Sequence, residues 1–205
     1  MSRPCLVTAG ATRNPIDAMR FLAAYSSGRT GAAIARELAS DHAVTLLGSP
    51  EACLRATPPV ETALFGDTRD LMTRMEEWVR AHPAGVVVHA AAVGDYEATP
   101  SPNKISSNQD ELVIRLRRAP KIADHIKNWD PDCTLVTFKA AGPNTDAEQL
   151  VAIARAQLRR TGSDHVFGNV IGALQTTCVL VDASGSEAFE DRANALQALV
   201  ARLRG

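Results

Sequence analysis

The chain has 205 residues and a formal net charge of −1, with 45% hydrophobic and 22% charged residues. These values are typical of a globular protein without a broad basic surface, which argues against nucleic acid or an anionic membrane as a partner. No apolar run has the length of a transmembrane helix and no signal-peptide pattern opens the chain, so we expect a cytoplasmic protein with reduced cysteines.

Short apolar runs alternate with helical patterns along the chain. Strands are predicted at residues 5–7, 43–47, 86–90, 112–116, 134–138, 165–167 and 178–181. Helices are predicted at 32–38, after an Asp67 cap, at 121–128, from a Thr145/Glu148 capping box to about Arg160, and at 188–203, while 51–66 is expected to be irregular. Repeated strand–helix–strand units predict an α/β fold with a mainly parallel, Rossmann-like sheet and helices on both faces. Because no linker or repeat divides it, the chain is predicted to form one domain, 1–205.

The loop between the first strand and the first helix has the composition of a phosphate site. Gly10, Thr12 and Arg13 follow the strand, and Ser26-Ser27-Gly28-Arg29 leads into the helix. Backbone N–H groups at a helix start have no partner within the helix, and glycine lets an anion approach them. An ordinary strand-to-helix loop is the alternative interpretation.

Polar or small residues also follow three later strands. Ala91, Ala92 and Asp95 come after 86–90, Lys139 comes after 134–138, and Asn169 comes after 165–167. Since parallel strands end at one edge of a sheet, we expect these loops and the first loop to converge on one ligand site.

Local sequence leaves two interpretations open for several of these residues. Asp95 suits a ribose or a metal, but also a turn; Lys104, in the polar loop 94–110, is either a movable cation over a polyphosphate or a solvated side chain. Phe138 either faces a nucleotide base or belongs to the core. His89, at the end of an apolar strand, is interpreted as a buried, hydrogen-bonded histidine. The spacing of cysteines and histidines predicts no protein metal site and no nucleophile–base triad.

Several segments, in order along the chain, resemble the phosphopantothenoylcysteine synthetase (phosphopantothenate–cysteine ligase) family, in its stand-alone form. The resemblance covers about residues 5–181 and is carried by Thr8–Asp17, Arg20–Leu22, Ser26–Gly31, Ala90–Tyr96, Asn103–Ile105, Ala119–Ile122, Thr137–Lys139 and Gly168–Asn169.

The resemblance implies a homodimeric ligase of coenzyme A biosynthesis that joins 4′-phosphopantothenate to cysteine and uses CTP or ATP with Mg²⁺. The pantothenate carboxylate would attack the α-phosphate to give an acyl-nucleotide. The cysteine amine would then attack this intermediate and displace the nucleotide. By the same resemblance Lys104 is catalytic, and nucleotide binding falls to Gly10, Ala91, Ala92, Asp95, Pro120, Lys121, Ile122, Phe138 and Lys139. Phosphate or substrate binding falls to Thr12, Arg13, Ser26, Ser27, Gly28, Arg29 and Asn169.

Three departures from the family pattern keep a second interpretation open. Ala24 stands where the family has an asparagine tied to the acyl-nucleotide, Gln157 and Thr161 stand where fused bacterial members have triphosphate-binding lysines, and 140–142 lacks an expected acidic residue. The alternative is a degenerate relative that binds a nucleotide or phosphorylated ligand without efficient ligation. An NAD(P) oxidoreductase is disfavoured because the first turn lacks GxGxxG.

Overall fold

A computed structural model describes residues 2–204. The strands are β1 (Arg3–Ala9), β2 (Asn14–Pro15), β3 (Phe21–Leu22), β4 (His42–Gly48), β5 (Glu61–Leu64), β6 (Val86–His89), β7 (Tyr96–Ala98), β8 (Leu116–Arg118), β9 (Thr134–Ala141), β10 (His165–Val170), β11 (Cys178–Asp182) and β12 (Ser186–Phe189). The helices are α1 (Arg29–Leu38), α2 (Pro50–Cys53), α3 (Thr68–Ala81), α4 (Ile126–Trp129), α5 (Ala147–Thr161) and α6 (Arg192–Arg204), and a 3-10 turn covers Ile122–Asp124.

The central sheet has eight strands in the order β12-β11-β10-β9-β6-β1-β4-β5. Every pair from β10 to β5 is parallel, and β11 and β12 are added antiparallel at one edge. The chain runs outward from β1 to β4 and β5, then returns to the other side of β1 with β6. This confirms the predicted mainly parallel, Rossmann-like sheet, and its strand order reverses between β1 and β6.

Helices cover both faces of the sheet because the inner strands are apolar on both sides. On one face, Cys5 and Val7 of β1 pack in a core with Ile34 of α1 and Leu199 of α6. On the other, Leu6 packs with Leu71 and Met75 of α3, and α5 covers β10 and β11. The fully buried side chains lie in these layers.

The N-termini of α3 and α5 show how well the capping residues in the sequence predict where a helix begins. Asp67 caps α3 as predicted, its Oδ1 accepting from the N–H groups of Arg69 and Asp70 at 2.9 and 2.8 Å. The capping box of α5 lies one residue later than predicted, with Asp146 and Gln149 as the reciprocal pair. Thr145 instead donates its hydroxyl to the Gly142 carbonyl at 2.7 Å, so it closes the preceding turn.

Three predicted segments are wrong because tertiary pairing decides them. Residues 51–66 are irregular only in part: Ser49 and Pro50 start α2, and β5 pairs with β4, while 54–60 belong to no helix or strand. The strand predicted at 112–116 is absent from the central sheet; three residues from 116 pair with β7 in a separate hairpin. The last helix begins at Arg192 rather than at 188, since 186–189 pairs with β11. Within residues 2–204, every helix is too short or too polar to cross a bilayer.

Candidate functional site

The carboxyl ends of β1 and β6 meet where the strand order reverses, the position at which open α/β sheets bind ligands. Backbone hydrogen bonds join the two following loops: the Ala92 N–H donates to the Gly10 carbonyl at 2.8 Å, and the Thr12 N–H donates to the Ala92 carbonyl at 3.2 Å. The loops after β1 and β6 therefore form one layer over this edge of the sheet.

Two glycines let the start of α1 approach this layer. Gly10 has a φ of +90°, and a Cβ added to it would lie 2.2 Å from Ser49 Oγ. Gly28, at the helix N-cap, has a φ of +71°, and its added Cβ would lie 3.1 Å from the Gly10 nitrogen. The predicted turn at 26–29 thus lies directly against the end of β1.

The start of α1 offers positive charge to an anion. Gly28 supplies no side-chain cap, so N–H groups of the first turn keep no acceptor within the helix. Arg29 is exposed, its Nε lies 3.5 Å from Ser27 Oγ, and it forms no ion pair among residues 2–204. The helix dipole and this guanidinium act in the same direction.

Thr12 and Arg13 were also predicted to bind phosphate. Their side chains instead contact other residues of the protein. Thr12 is fully buried, and its Oγ1 accepts from the Gly94 N–H at 3.0 Å and the Thr68 hydroxyl at 3.1 Å. Arg13 forms an ion pair with Glu51 and lies over the Phe21 ring. These contacts brace the loop after β1.

A cavity of about 270 Å³ opens beside this layer, at the carboxyl ends of β6 and β9. It is lined by all the predicted nucleotide-binding residues except Gly10, namely Ala91, Ala92, Asp95, Pro120, Lys121, Ile122, Phe138 and Lys139. β9 is longer than predicted and runs on to Ala141, while β6 ends opposite Thr137. Lys139 therefore belongs to the strand rather than following it. It reaches the cavity because β9 extends beyond the end of β6.

The rim of the cavity carries positive charge. Lys121 Nζ lies 3.3 Å from Asp95 Oδ1, and both side chains are exposed. Arg160, from α5, forms an ion pair with Asp124, whereas Lys139 has no carboxylate partner among residues 2–204. The Phe138 ring stacks on Phe167, with 5.0 Å between centroids, so one of its faces is already covered.

The floor of the cavity includes two polar side chains that were not predicted as site residues. His89 Nδ1 lies 2.9 Å from Thr8 Oγ1, and burial lowers the pKa of His89 to about 4. Gln157 donates from Nε2 to Thr137 Oγ1 and to the Phe138 carbonyl, at 2.9 and 3.1 Å. The interpretation of His89 as a buried, hydrogen-bonded histidine is confirmed, but it also faces the cavity. A polar residue ending a buried strand was the signal available in the sequence.

Lys104 does not line the cavity; it lies exposed in the segment between β7 and β8. Its neighbour Ile105 is held from both sides, since the Ile105 N–H donates to Asp17 Oδ2 at 3.0 Å and Arg20 Nη2 donates to the Ile105 carbonyl at 2.7 Å. Asp17 also accepts from Arg20 Nε at 2.9 Å. Its side chain is completely buried, and the Arg20 guanidinium and the Ile105 N–H hold its pKa well below the usual range.

Asn169 is the predicted site residue most enclosed by the sheet. β10 extends to Val170, so Asn169 lies inside the strand, between Ala140 and Cys178, rather than in a loop after it. It is 6% exposed and does not line the cavity. The placement after the strand was wrong because the pairing of β10 with β9 continues past the apolar run.

Size alone does not identify the site. A cavity of about 450 Å³ lies at the amino ends of β1 and β4, lined by residues such as His42, Trp78 and His82. No predicted site residue lines it. The smaller cavity at the carboxyl edge is lined by the loop after β6 and by the cations Lys121, Lys139 and Arg160, whereas the turn at 26–29 and the start of α1 do not line it.

Comparison with known proteins gives a consistent family assignment. Residues 1–196 match the family described as DNA/pantothenate metabolism flavoprotein C-terminal domain. The coenzyme A biosynthesis bifunctional protein CoaBC of Thermococcus kodakarensis is 38% identical over 173 residues, 82% of this chain and 41% of that protein. The protein of the same name from Mycolicibacterium smegmatis is 33% identical over 183 residues, 82% of this chain and 42% of that protein. The chain thus spans about two fifths of the length of the curated relatives it matches.

Solved structures share the fold. A DNA/pantothenate metabolism flavoprotein from Streptococcus pneumoniae superposes with a TM-score of 0.86 at 24% identity, covering 99% of each chain. A mutant of Cab2 in complex with phosphopantothenate-cysteine superposes with a TM-score of 0.80 at 16% identity, covering 98% of this chain and 86% of that one.

Proposed function

The chain belongs to the DNA/pantothenate metabolism flavoprotein C-terminal domain family, and from that membership we propose that it joins 4′-phosphopantothenate to cysteine with CTP or ATP, in coenzyme A biosynthesis. The membership confirms the resemblance to the phosphopantothenoylcysteine synthetases. The observation that carries the proposal is the cavity at the carboxyl ends of β6 and β9, which collects the residues predicted to bind the nucleotide.

The proposed reaction has two steps. A carboxylate oxygen of 4′-phosphopantothenate attacks the nucleotide α-phosphorus and pyrophosphate leaves, which forms an acyl-nucleotide. The cysteine amine then attacks the acyl carbon, the nucleoside monophosphate leaves, and the amine proton passes to solvent. Neither step needs a protein nucleophile, so the site has to hold anions together and stabilise charge developing on phosphorus.

The residues divide between these tasks. Lys121 and Lys139 at the rim of the cavity would neutralise nucleotide phosphates, and the N–H groups at the start of α1, with Arg29, would hold a further phosphate group. Lys104 would act on the reacting nucleotide from its loop, because a lysine on a flexible stem can follow charge as it moves.

Magnesium would reach this site with the triphosphate. Across residues 2–204, no cluster of three or more His, Cys, Asp or Glu side chains could hold a metal on its own. Mg²⁺ is usually bound by one or two carboxylates together with substrate phosphates, and Asp95 supplies a carboxylate at the cavity. This donor set fits a magnesium–nucleotide complex, in which the ion offsets the charge of the phosphate oxygens.

A homodimer is part of the proposal. The hairpins β2–β3 and β7–β8 are joined by hydrogen bonds from Asn14 Nδ2 to the Tyr96 carbonyl, 3.0 Å, and from the Ser101 N–H to the Ile16 carbonyl, 2.9 Å. They and the adjoining loops carry exposed apolar side chains: Met19 at 68%, Phe21 at 50%, Tyr25 at 106%, Tyr96 at 49%, Val113 at 73% and Leu116 at 45%. Several exposed apolar side chains on adjoining hairpins and loops are typical of a protein–protein contact.

One observation favours the second candidate, a relative that binds nucleotide but ligates poorly. Ala24 is exposed, two residues before the turn at 26–29. An alanine cannot supply the amide donors or acceptor that the family pattern has there. Loss of one preorganised contact costs on the order of 10²–10³ in rate.

The test uses purified protein with 4′-phosphopantothenate, cysteine, Mg²⁺ and either CTP or ATP, and measures pyrophosphate and the amide product. The proposal predicts both products in equal amounts, each dependent on the pantothenate substrate. Nucleotide binding without pyrophosphate release supports the second candidate. If acyl-nucleotide accumulates without amide, Ala24→Asn is expected to restore the second step.

A further inference from the structure

Two helices begin side by side at the carboxyl edge of the sheet, on the face opposite α5. The start of α1 lies against Gly10, and the Arg192 N–H at the start of α6 donates to the Gln175 carbonyl in the β10–β11 loop at 2.9 Å. The helices are in contact and run in the same direction, because Arg204 at the end of α6 forms an ion pair with Asp41, shortly after α1. Their positive dipole ends therefore lie together.

The Arg192 side chain joins the two helix starts to the central sheet. Its Nη2 donates to Thr30 Oγ1 in the first turn of α1 at 3.2 Å, and its Nη1 donates to the Leu174 carbonyl at 3.4 Å. The guanidinium carbon lies 5.1 Å from the centre of the Phe167 ring. Because that ring stacks on Phe138, which lines the 270 Å³ cavity, Arg192 is held close to the residues predicted to bind the nucleotide.

The charge of Arg192 is not neutralised within the described chain. Arg192 is half-buried and has no carboxylate partner among residues 2–204, since the neighbouring Asp191 caps α6 instead and accepts from the Asn194 N–H at 2.9 Å. An arginine has five N–H donors. The second Nη1 proton faces Cys178 Sγ at 4.0 Å, which leaves the Nε proton and one Nη2 proton without an acceptor in this part of the chain. A bound anion would offset the cost of withdrawing this cation from water.

Asn169 is an independent indication of a ligand at the same place. It is 6% exposed, yet its side-chain amide has no hydrogen-bond partner among residues 2–204 and neither polar atom is fully enclosed. The side chain leaves the sheet on the face of α1 and α6, because it pairs with Cys178 and alternates with Gly168, whose added Cβ would meet Leu150 of α5. Buried amides usually have a partner, and this one lies on the face where Arg192 contacts Cys178.

We propose that Arg192 binds a phosphate group of a substrate between the starts of α1 and α6. This inference rests on the proposed function, which places an anion at the start of α1. Thr30 Oγ1 accepts from Arg192 and so keeps its own proton for a phosphate oxygen, and the Asn169 amide offers two further donors. A guanidinium beside a phosphate forms paired, charge-assisted hydrogen bonds, which are stronger than those between neutral groups.

This phosphate site and the cations of the cavity lie on opposite faces of the sheet. Arg160 and Gln157 line the cavity from α5, whereas α1 and α6 cover the other face. The proposed reaction needs two phosphorylated substrates at one edge of the sheet, so each face can hold the phosphate of one of them. The phosphate that Arg192 binds belongs either to the nucleotide or to 4′-phosphopantothenate, and binding measurements distinguish the two sources.

The experiment compares two Arg192 variants that can both hydrogen-bond to Thr30 but differ in charge. Isothermal titration calorimetry with the full chain measures the dissociation constants of CTP and ATP with Mg²⁺, and of 4′-phosphopantothenate. Arg192→Gln is expected to weaken binding of either the nucleotide or 4′-phosphopantothenate by about tenfold or more, while Arg192→Lys stays within about threefold of the wild type. Arg36→Gln, which removes a charge at the other end of α1, should leave every constant unchanged.

Unchanged affinity of Arg192→Gln for both substrates would overturn the inference. Equal losses in Arg192→Gln and Arg192→Lys would also overturn it, because they would show that Arg192 acts through packing rather than through its charge. If far-ultraviolet circular dichroism shows that Arg192→Gln is unfolded, Thr30→Val decides: it should weaken one of the two substrates about threefold, and no loss would contradict the site. If the wild type binds neither substrate, the proposed function fails; if the wild type forms the amide and the variants bind as it does, only this inference fails.

Discussion

Gly10 occupies a backbone conformation and a space that only glycine fits. Its φ of +90° lies in the region disfavoured for other residues, and an added Cβ would meet Ser49 Oγ at 2.2 Å. Ser49 caps α2, so a shift at this contact would spread into the neighbouring loop. The site therefore depends on this position through packing as well as through any contact with ligand.

Gly10→Ala is expected to lower the free energy of unfolding by about 2 kcal/mol, from backbone strain and the clash together. Urea denaturation measures it. Gly172→Ala is the matched control for backbone strain, since its φ is +89° but nothing lies within 4 Å of its added Cβ. Equal losses in the two variants would show that the contact with Ser49 contributes nothing.

His89 makes stability depend on pH. Its pKa is lowered from 6.5 to about 4 by burial. Below pH 6.5 the unfolded chain takes up a proton that the folded chain refuses until about pH 4, so stability falls as the pH falls through this window. Burial also lowers the pKa of His42 and His165, which act in the same direction.

His89→Leu should remove its share of this dependence. Between about pH 7 and about pH 4.5 the variant is expected to lose about 2 kcal/mol less stability than the wild type. Parallel curves for the wild type and His89→Leu in denaturant titrations at each pH would contradict the account.

The segment that carries Lys104 is hydrogen-bonded to the β2–β3 hairpin directly beside that lysine. Asp17 accepts a hydrogen bond from the Ile105 N–H, and Arg20 donates one to the Ile105 carbonyl. Ile105 is next to the proposed catalytic lysine. The completely buried Asp17 carboxylate accepts the N–H groups of Met19 and Arg20 as well, at 2.8 and 2.7 Å. The β2–β3 hairpin thereby restrains the position of the loop that carries Lys104.

Asp17→Asn should loosen this contact because it weakens the charge-assisted bonds to Arg20. We expect faster hydrogen–deuterium exchange at Ile105 and a fall of about tenfold in the rate of acyl-nucleotide formation, with nucleotide affinity unchanged. Asp110→Asn, in an exposed part of the same segment, should change neither. Faster exchange without loss of rate would show that the position of this loop does not matter for the chemistry.

Elements set by local signals were predictable, and elements set by distant partners were not. The Asp67 cap of α3 needs only residues three positions apart, so the sequence alone located it. β5 and β12 are short edge strands that exist because β4 and β11 offer backbone partners. Residues 112–114 alternate like a strand, but within 2–204 they pair with no strand of the central sheet.

The residues of the candidate site likewise fall into those that the sequence could identify and those that depend on distant partners. Gly10 was recognisable from the strand-to-helix loop that contains it, and Ala91 and Ala92 were recognisable because they follow an apolar strand and match the family resemblance. The orientations of His89 and Gln157 depend on Thr8 and Thr137, which are distant in sequence. The Asp17–Ile105 contact joins residues 88 positions apart, so no local pattern could reveal it.

At the scale of the whole molecule, the exposed apolar side chains of the β2–β3 and β7–β8 region predict self-association. Val113→Lys, which changes a side chain 73% exposed, should weaken the proposed dimer by placing a charge in the contact. Leu54→Lys, at an 87% exposed position on another part of the surface, should leave the dimer intact. Sedimentation velocity distinguishes the outcomes, and a wild-type monomer at micromolar concentration would contradict the dimer.

The location of nucleotide binding tests the account most directly. Hydrogen–deuterium exchange with and without the preferred nucleotide and Mg²⁺ compares the two edges of the sheet. We predict slower exchange at residues 90–95, 120–123 and 137–140 around the 270 Å³ cavity, and no change around His42 and Trp78 at the opposite edge. Protection confined to the opposite edge, or spread equally over both, would contradict the account.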